Sequence, residues 1–154
     1  MTDTTRRTLL KGSIALGTLS AAGLLSPRLL LADWPGAAFS AKEVEKALQD
    51  LVGTAQPTAS DKIKIKAPDI AENGAVVPIT VESDLEDIES ISILASGNAT
   101  PLVASFQLGE GAIGFVSTRI KMGKTADVVA VVKTADGVYS TSKNVKVTIG
   151  GCGG

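Results

Sequence analysis

The sequence predicts an all-β fold, a β-sandwich of about seven strands preceded by one short helix. After Pro57, apolar residues alternate with polar ones in a series of short runs, as they do in strands with one buried face. Turn signals, of which Asp136-Gly137 is the strongest, separate these runs at the spacing of a sandwich. Because aromatic residues are scarce and there is one cysteine, we expect a core of Val, Ile, Leu and Ala without a disulfide.

Residues 1–32 are predicted to be a twin-arginine export signal, so the fold prediction concerns only the residues that follow it. Arg6 and Arg7 stand in the segment TRRTLLK (residues 5–11), and a mild apolar stretch from Gly12 to Leu25 follows them. This stretch is shorter than the ~20 strongly apolar residues that span a bilayer. We expect cleavage after Ala32, a folded domain over residues 33–149, and a periplasmic location.

The chain that remains after cleavage is acidic. Of the 15 basic and 16 acidic residues, the signal contains four and one, which leaves 11 and 15 and a net charge of −4. Nucleic acids and anionic membranes bind basic surfaces, and no basic cluster with interleaved aromatic residues occurs. Neither is therefore expected as a partner of the mature chain.

A single amphipathic helix is predicted from Ala41 to Val52. Ser40 and Glu43 have the spacing of a capping box, with Ser40 as the N-cap. Gly53 supplies a stop signal. The apolar stripe of this helix is formed by Val44, Ala47, Leu48 and Leu51.

Seven apolar runs predict the strands, and three of them carry more specific information. Pro78 lies within a run and favours an edge position for that strand. The continuous apolar run Val128 to Val132 favours a central strand. The last run places Val145, Val147 and Ile149 on the inward face and leads directly into Gly150. The runs lie near residues 63–65, 77–81, 91–93, 102–108, 113–122, 128–132 and 138–149.

The last five residues, GGCGG, form what we call the arm (residues 150–154). Cys152 is the only cysteine of the chain, and glycines at 150, 151, 153 and 154 surround it. Because glycine leaves the backbone almost unrestrained, we expect a flexible arm that reaches roughly 16–18 Å at ~3.3–3.6 Å per residue. Such an arm can carry its thiol into a pocket of another protein. The site residues expected here are Cys152 for covalent attachment and Gly150, Gly151, Gly153 and Gly154 for flexibility.

Catalysis by this chain itself is not expected. A catalytic cysteine needs a base in fixed geometry, and the chain has no histidine. One cysteine without histidine cannot form a zinc site, so neither a metal nor a cofactor is expected. The carboxylates Glu82, Asp84, Glu86 and Asp87 fall in a polar stretch between strands, where a solvated loop is expected rather than an acid–base pair.

Covalent carriage of sulfur is the function that these features favour. A thiolate can take up sulfur as a persulfide or thiosulfonate and release it by exchange. Two alternatives stay open. The chain could be a structural sandwich that is crosslinked to a partner by a permanent Cys152 disulfide, or a thiocarboxylate carrier that uses a terminal Gly-Gly.

The ending VTIGGCGG (residues 147–154), with the twin-arginine start, the short helix and the all-β body, resembles the SoxY family. These are the sulfur carriers of the periplasmic thiosulfate-oxidising system. The resemblance implies an immunoglobulin-like β-sandwich that forms a heterodimer with a SoxZ-like β-sandwich subunit. It also implies that a c-type cytochrome complex loads Cys152 with thiosulfate, that a dimanganese hydrolase releases sulfate, and that a sulfane dehydrogenase, in organisms that have one, oxidises the remaining sulfur. The metals and haems belong to those partners.

Overall fold

A computed structural model describes residues 34–149 of the 154-residue chain. Two helices precede nine strands. The helices are α1 (Gly36–Ser40) and α2 (Val44–Val52). The strands are β1 (Thr58–Ala59), β2 (Ile63–Lys66), β3 (Ile70–Ala71), β4 (Val77–Ser83), β5 (Ile88–Ala95), β6 (Leu102–Gln107), β7 (Phe115–Ile120), β8 (Ala126–Thr134) and β9 (Val138–Val147).

The strands form two sheets, which confirms the all-β sandwich. The larger sheet has the order β1-β9-β8-β5-β6, with β3 also paired to β9, and the smaller sheet has the order β2-β4-β7. The seven longer strands are those predicted. The two-residue strands β1 and β3 were not predicted, and both pair in parallel with β9, one near each of its ends. Because β9 is ten residues long, these two short strands cover separate parts of its outer edge.

Two of the more specific strand predictions are confirmed. Strand β8 lies between β9 and β5 and is central, as its continuous apolar run predicted. The Asp136-Gly137 turn joins β8 to β9 in an antiparallel hairpin. The Gly137 carbonyl accepts bonds from the Thr134 backbone N–H at 2.9 Å and from the Thr134 hydroxyl at 3.2 Å.

The position of Pro78 corrects the edge prediction. Its strand β4 is the middle strand of the smaller sheet. The proline is tolerated because β2 pairs only with Thr80 through Ser83, so the part of β4 that contains Pro78 has a paired strand on one side alone. Proline lacks the backbone N–H that donates a hydrogen bond to a neighbouring strand. This loss is tolerated where β4 has a paired strand on one side only.

The main core lies between the two sheets and, within residues 34–149, contains no fully buried aromatic side chain, as expected from the composition. It is built from aliphatic residues and one methionine, with Phe106 and Tyr139 only partly buried at its margin. Burial of aliphatic surface of this kind is the dominant favourable contribution to folding. The largest fully buried members of this core are Ile79, Ile91, Ile93, Met122, Val77, Val81, Val128, Val132 and Val145.

A second apolar cluster lies on the outer face of the larger sheet, where both helices pack. Ala38, Ala47 and Leu48 of the helices join Leu94, Leu102 and Val131 of the sheet. Strand β5 is consequently buried on both faces from Ser90 to Ala95. Neither helix of residues 34–149 has the length and apolar content needed to cross a membrane.

The predicted start of the long helix is wrong. Ser40 ends α1, the next residue Ala41 is extended and buried, and α2 begins only at Val44 with Glu43 as its N-cap. No side chain caps α2, so the Ser40–Glu43 capping box does not form. Pro35 precedes α1, and its carbonyl accepts the Phe39 N–H. Ser40 is therefore the last residue of the short helix α1 and not the first residue before α2. The stop at Gly53 is confirmed, because Gly53 has φ +80° and its N–H donates to the Gln49 carbonyl at 3.1 Å.

Because Ser40 caps nothing, replacing Ser40 by alanine should change the free energy of unfolding by less than about 0.5 kcal/mol. A true N-cap residue would cost about 1 kcal/mol. Gly53→Ala is the comparison variant, and its positive φ predicts a loss of about 1 kcal/mol or more. Urea titrations of the three proteins would test this, and a loss near 1 kcal/mol for Ser40→Ala would contradict the observed helix start.

Candidate functional site

The site residues predicted from the sequence all lie outside the described residues 34–149. These are Cys152 and its neighbours Gly150, Gly151, Gly153 and Gly154, and the export residues Arg6 and Arg7. The structure therefore describes the surface from which the arm leaves. We call the segment Val147–Ile149, with residues 70–76 that bind it, the arm base.

Hydrogen bonds hold the last two described residues against residues 71–74. The Thr148 N–H donates to the Ala71 carbonyl at 3.1 Å, and the Thr148 hydroxyl donates to the Glu72 carbonyl at 3.2 Å. The Gly74 N–H donates to the Ile149 carbonyl at 2.9 Å. The backbone is thus bonded up to Ile149, immediately before the arm.

The expectation that Ile149 faces the core is wrong. Strand β9 ends at Val147, and the Ile149 side chain is 67% exposed. Strand β8 begins at Ala126, opposite Val145, so no β8 residue continues the ladder beyond that point. The chain instead completes its bonds with residues 71–74, which turns Ile149 outward.

The β7–β8 loop (residues 121–125) is tied to the arm base. The Met122 N–H donates to the Gly74 carbonyl at 2.7 Å, and the Met122 side chain is fully buried. The Thr125 hydroxyl accepts the Val147 N–H at 2.9 Å. Gly74 therefore bridges this loop and Ile149, and the loop and the arm base form one hydrogen-bonded unit.

Asn98, in the turn between β5 and β6, holds the other side of the same loop. Its amide nitrogen donates to the Lys121 carbonyl at 2.7 Å, and its amide oxygen accepts the Gly123 N–H at 2.9 Å. One side chain thus satisfies two backbone groups of the loop. This arrangement was not predicted from the sequence.

Replacing Asn98 by alanine should remove both bonds and lower the free energy of unfolding by about 1–3 kcal/mol. Amide hydrogen exchange at Gly123 and Met122 should accelerate more than exchange in β8, because the loop loses its support before the sheet does. Thr100→Ala, at an exposed position of the same turn, is the control. Equal exchange rates in the Asn98→Ala protein and the parent would show that the loop does not depend on this side chain.

The described residues contain little that could perform catalysis. Residues 34–149 include no histidine or cysteine and no cluster of three potential metal ligands. Glu82 pairs with Lys66 at 2.6 Å and Asp84 with Lys64 at 3.6 Å, while Glu86 and Asp87 are exposed. Glu82 lies within β4, so its expected place between strands is wrong. These carboxylates are surface charges, two of them ion-paired.

Comparisons with known proteins identify the family of the chain. Residues 48–152 match the family described as "Sulfur oxidation protein SoxY". The chain belongs to the SoxY family. The matched range covers most of the domain and ends at Cys152, so it includes both the arm base and the only cysteine.

A solved structure supports the same membership. The chain is similar to the sulfur carrier protein SoxY from Chlorobium limicola f thiosulfatophilum, with 40% sequence identity and a TM-score of 0.63. The similarity covers 70% of this chain and 97% of that one. An engineered protein is also similar, at 19% identity and a TM-score of 0.42 over 62% of this chain and 21% of that one, which is too distant to carry an argument. No curated protein sequence matches the chain.

Proposed function

We propose that this member of the SoxY family is a non-catalytic sulfur carrier that holds thiosulfate-derived sulfur covalently on Cys152. One observation carries the proposal. The match to the sulfur oxidation family runs through Cys152, which is the only thiol of the chain. The name of the similar Chlorobium protein, a sulfur carrier, supports the same role.

The chemistry of carriage requires little of the chain beyond a thiol. Loading joins the Cys152 sulfur to the outer sulfur of thiosulfate, giving a thiosulfonate (R–S–S–SO₃⁻) and releasing one proton and two electrons to an external acceptor. Hydrolysis of the S–SO₃ bond then releases sulfate and two protons and leaves a persulfide (R–S–S⁻). The first step is a thiol oxidation that needs the external electron acceptor, and the second is a hydrolysis that needs only water.

The arm base suits this role. The chain is hydrogen-bonded up to Ile149, and Cys152 follows three residues later. Three residues span at most about 11 Å, so the thiol is tethered close to a firmly bonded surface. The two glycines on each side of Cys152 place no side chain between the sulfur and a partner's active site.

The proposed partners supply what this chain does not contain. They are a SoxZ-like β-sandwich subunit, a c-type cytochrome complex that accepts the electrons of loading, a dimanganese hydrolase that releases sulfate, and in some organisms a sulfane dehydrogenase. Export of the folded chain by the twin-arginine route, read from Arg6 and Arg7, would place the carrier in the periplasm with them. Neither nucleic acid nor a membrane is proposed as a partner of the exported chain.

Intact-mass analysis of the mature protein from thiosulfate-grown cells tests the function. The expected result is a set of adducts of one or more sulfur atoms, some with a sulfonate group, which map to Cys152 and disappear on treatment with a thiol reductant. A bare thiol throughout, or a stable protein–protein disulfide at Cys152, would contradict carriage and favour the crosslinked structural protein.

A further inference from the structure

The unpaired charges of the sandwich are distributed unequally between its two ends. We call the end formed by the arm base with Lys146, residues 121–127 and the turn 96–101 the arm end, and the end formed by residues 61–62, 84–89, 108–114 and 135–137 the far end. Two backbone hydrogen bonds connect the segments of the far end. The Ala135 N–H donates to the Asp87 carbonyl, and the Leu108 N–H donates to the Glu89 carbonyl. Strand β9 runs from the far end to the arm end.

Three lysines of the arm end are exposed and form no ion pair within residues 34–149: Lys121, Lys124 and Lys146. Two carboxylates there, Glu72 and Asp127, also lack a cationic partner among the described residues, and Asp127 accepts the Asn144 amide at 2.8 Å. At the far end the unpaired charges are five carboxylates and one lysine. They are Asp61, Glu86, Asp87, Glu110, Asp136 and Lys62.

The lysines of the arm end stand on backbone that is held in place. Lys121 begins the loop that Asn98 and Gly74 bind from two sides. The aliphatic part of Lys124 lies over Gly97, where an added Cβ would come within 3.0 Å of Lys124 Cγ and 2.7 Å of Ala126 Cβ. Lys146 lies in β9, opposite Ile70, three residues before Ile149. The positive charges are therefore displayed by a well-bonded surface next to the point where the arm leaves.

We propose that Lys121, Lys124 and Lys146 form an anion-attracting surface that takes the oxyanion end of a sulfur group carried on Cys152. The inference rests on the proposed function for the identity of that group. A thiosulfonate on Cys152 carries a negative charge, whereas the bare arm carries no side-chain charge apart from its thiol. Cys152 is within about 11 Å of Ile149 along the chain, so the loaded group can reach the surface around Ile149. Gly74 bonds the loop 121–125 to Ile149, and Lys146 lies three residues before Ile149. An isolated mature chain of net charge −4 would otherwise repel such an anion.

The charge effect can be measured on purified protein, whether or not cells load it with sulfur. Iodoacetate and iodoacetamide alkylate the same thiolate but differ by one negative charge. The rate constant for iodoacetate divided by the rate constant for iodoacetamide at Cys152 therefore reports the local electrostatic potential. Any change in the thiol pKa cancels in this ratio. At about 10 mM salt we expect the variant with Lys121→Gln, Lys124→Gln and Lys146→Gln to lower this ratio about three- to fivefold, and the difference to vanish near 1 M salt.

Lys62→Gln is the matched control, because Lys62 is an exposed, unpaired lysine at the far end. It removes one positive charge where the triple variant removes three, so it is compared with the single variants Lys121→Gln, Lys124→Gln and Lys146→Gln, and it should leave the ratio unchanged. An unchanged ratio in the triple variant would overturn the inference, and so would a fall in the Lys62→Gln protein equal to that in the single arm-end variants, which would report net charge alone. Failure here would leave the sulfur adducts of the intact-mass experiment unaffected, so the two proposals fail separately.

A second measurement distinguishes a tethered anion from a free one. Tetrathionate converts the Cys152 thiolate into the thiosulfonate and releases thiosulfate as the leaving group. We expect the amide resonances of residues 121–125 to shift on this loading and to shift less in the triple variant. Thiosulfate titrated into the Cys152→Ser protein shows whether the free anion uses the same surface. Loading that leaves these resonances unmoved would overturn the inference.

Discussion

Replacing Cys152 by serine is expected to abolish sulfur loading completely. A serine hydroxyl cannot form the sulfur–sulfur bond of the thiosulfonate, and the chain has no second thiol that could substitute. Mass spectra of the variant from thiosulfate-grown cells should show the unmodified chain alone, and thiosulfate oxidation should stop in cells that carry only this variant.

The same substitution should leave the stability of the fold unchanged. Cys152 lies beyond the described domain, and the core members are supplied by residues 63–145. We expect the free energy of unfolding to change by less than about 0.5 kcal/mol, the range of surface substitutions. Differential scanning calorimetry of both proteins measures this. A fall of several degrees in the unfolding midpoint would show that Cys152 packs against the domain and would contradict an arm that carries cargo to partners.

A relocated thiol tests whether the arm matters as well as the sulfur. Ile149→Cys in the Cys152→Ser background places a thiol at an exposed position of the arm base, three residues short of the natural one. Because the Ile149 carbonyl is bonded to Gly74, this thiol is held at the domain surface. We expect no loading of the relocated thiol. Loading at the rate of the parent protein would show that any exposed thiol at this end suffices.

Local sequence signals predicted the elements whose causes are local. The β8–β9 hairpin depends on Asp136-Gly137 and the end of α2 on Gly53, and both stand as expected. The start of α2 was mispredicted because two neighbouring signals compete. Pro35 starts a short helix that ends at Ser40, which removes the serine from its capping position. A spacing rule cannot decide which of the two signals is used.

The features that could not be predicted are formed by contacts between residues that lie far apart in the sequence. Cys152 could be predicted as the site from its neighbours in the sequence, because a lone thiol among glycines is informative in any fold. The arm base was not, since it forms when Thr148 bonds to Glu72 across a separation of 76 residues. Strand β3, which pairs in parallel with β9, is only two residues long, so its sequence shows no alternation from which a strand could be predicted. The Asn73-Gly74 dipeptide could have indicated a turn, but nothing local indicates what that turn would hold.

The double-sided burial of β5 leads to the second large expected effect. In an ordinary sandwich strand, one face meets the other sheet and the opposite face meets water. Here Ile93 packs between the sheets, and its neighbour Leu94 packs against the helices on the other face, each with no exposed surface. Leu94→Ala should therefore cost about as much as Ile93→Ala, about 2–5 kcal/mol in each case. Urea unfolding of both variants measures the two costs side by side.

Ile113→Ala provides the matched control, because it makes the same deletion as Ile93→Ala at a side chain that is 78% exposed. Its expected cost is below about 0.5 kcal/mol. Leu48→Ala, on the helix side of the cluster that contains Leu94, should in turn destabilise the domain by an amount in the range given for Leu94→Ala. If Leu94→Ala costs less than about 1 kcal/mol while Ile93→Ala costs several, the helices do not cover the outer face in solution. The larger sheet would then present an apolar surface opposite its core, and the chain would need a partner subunit to cover it.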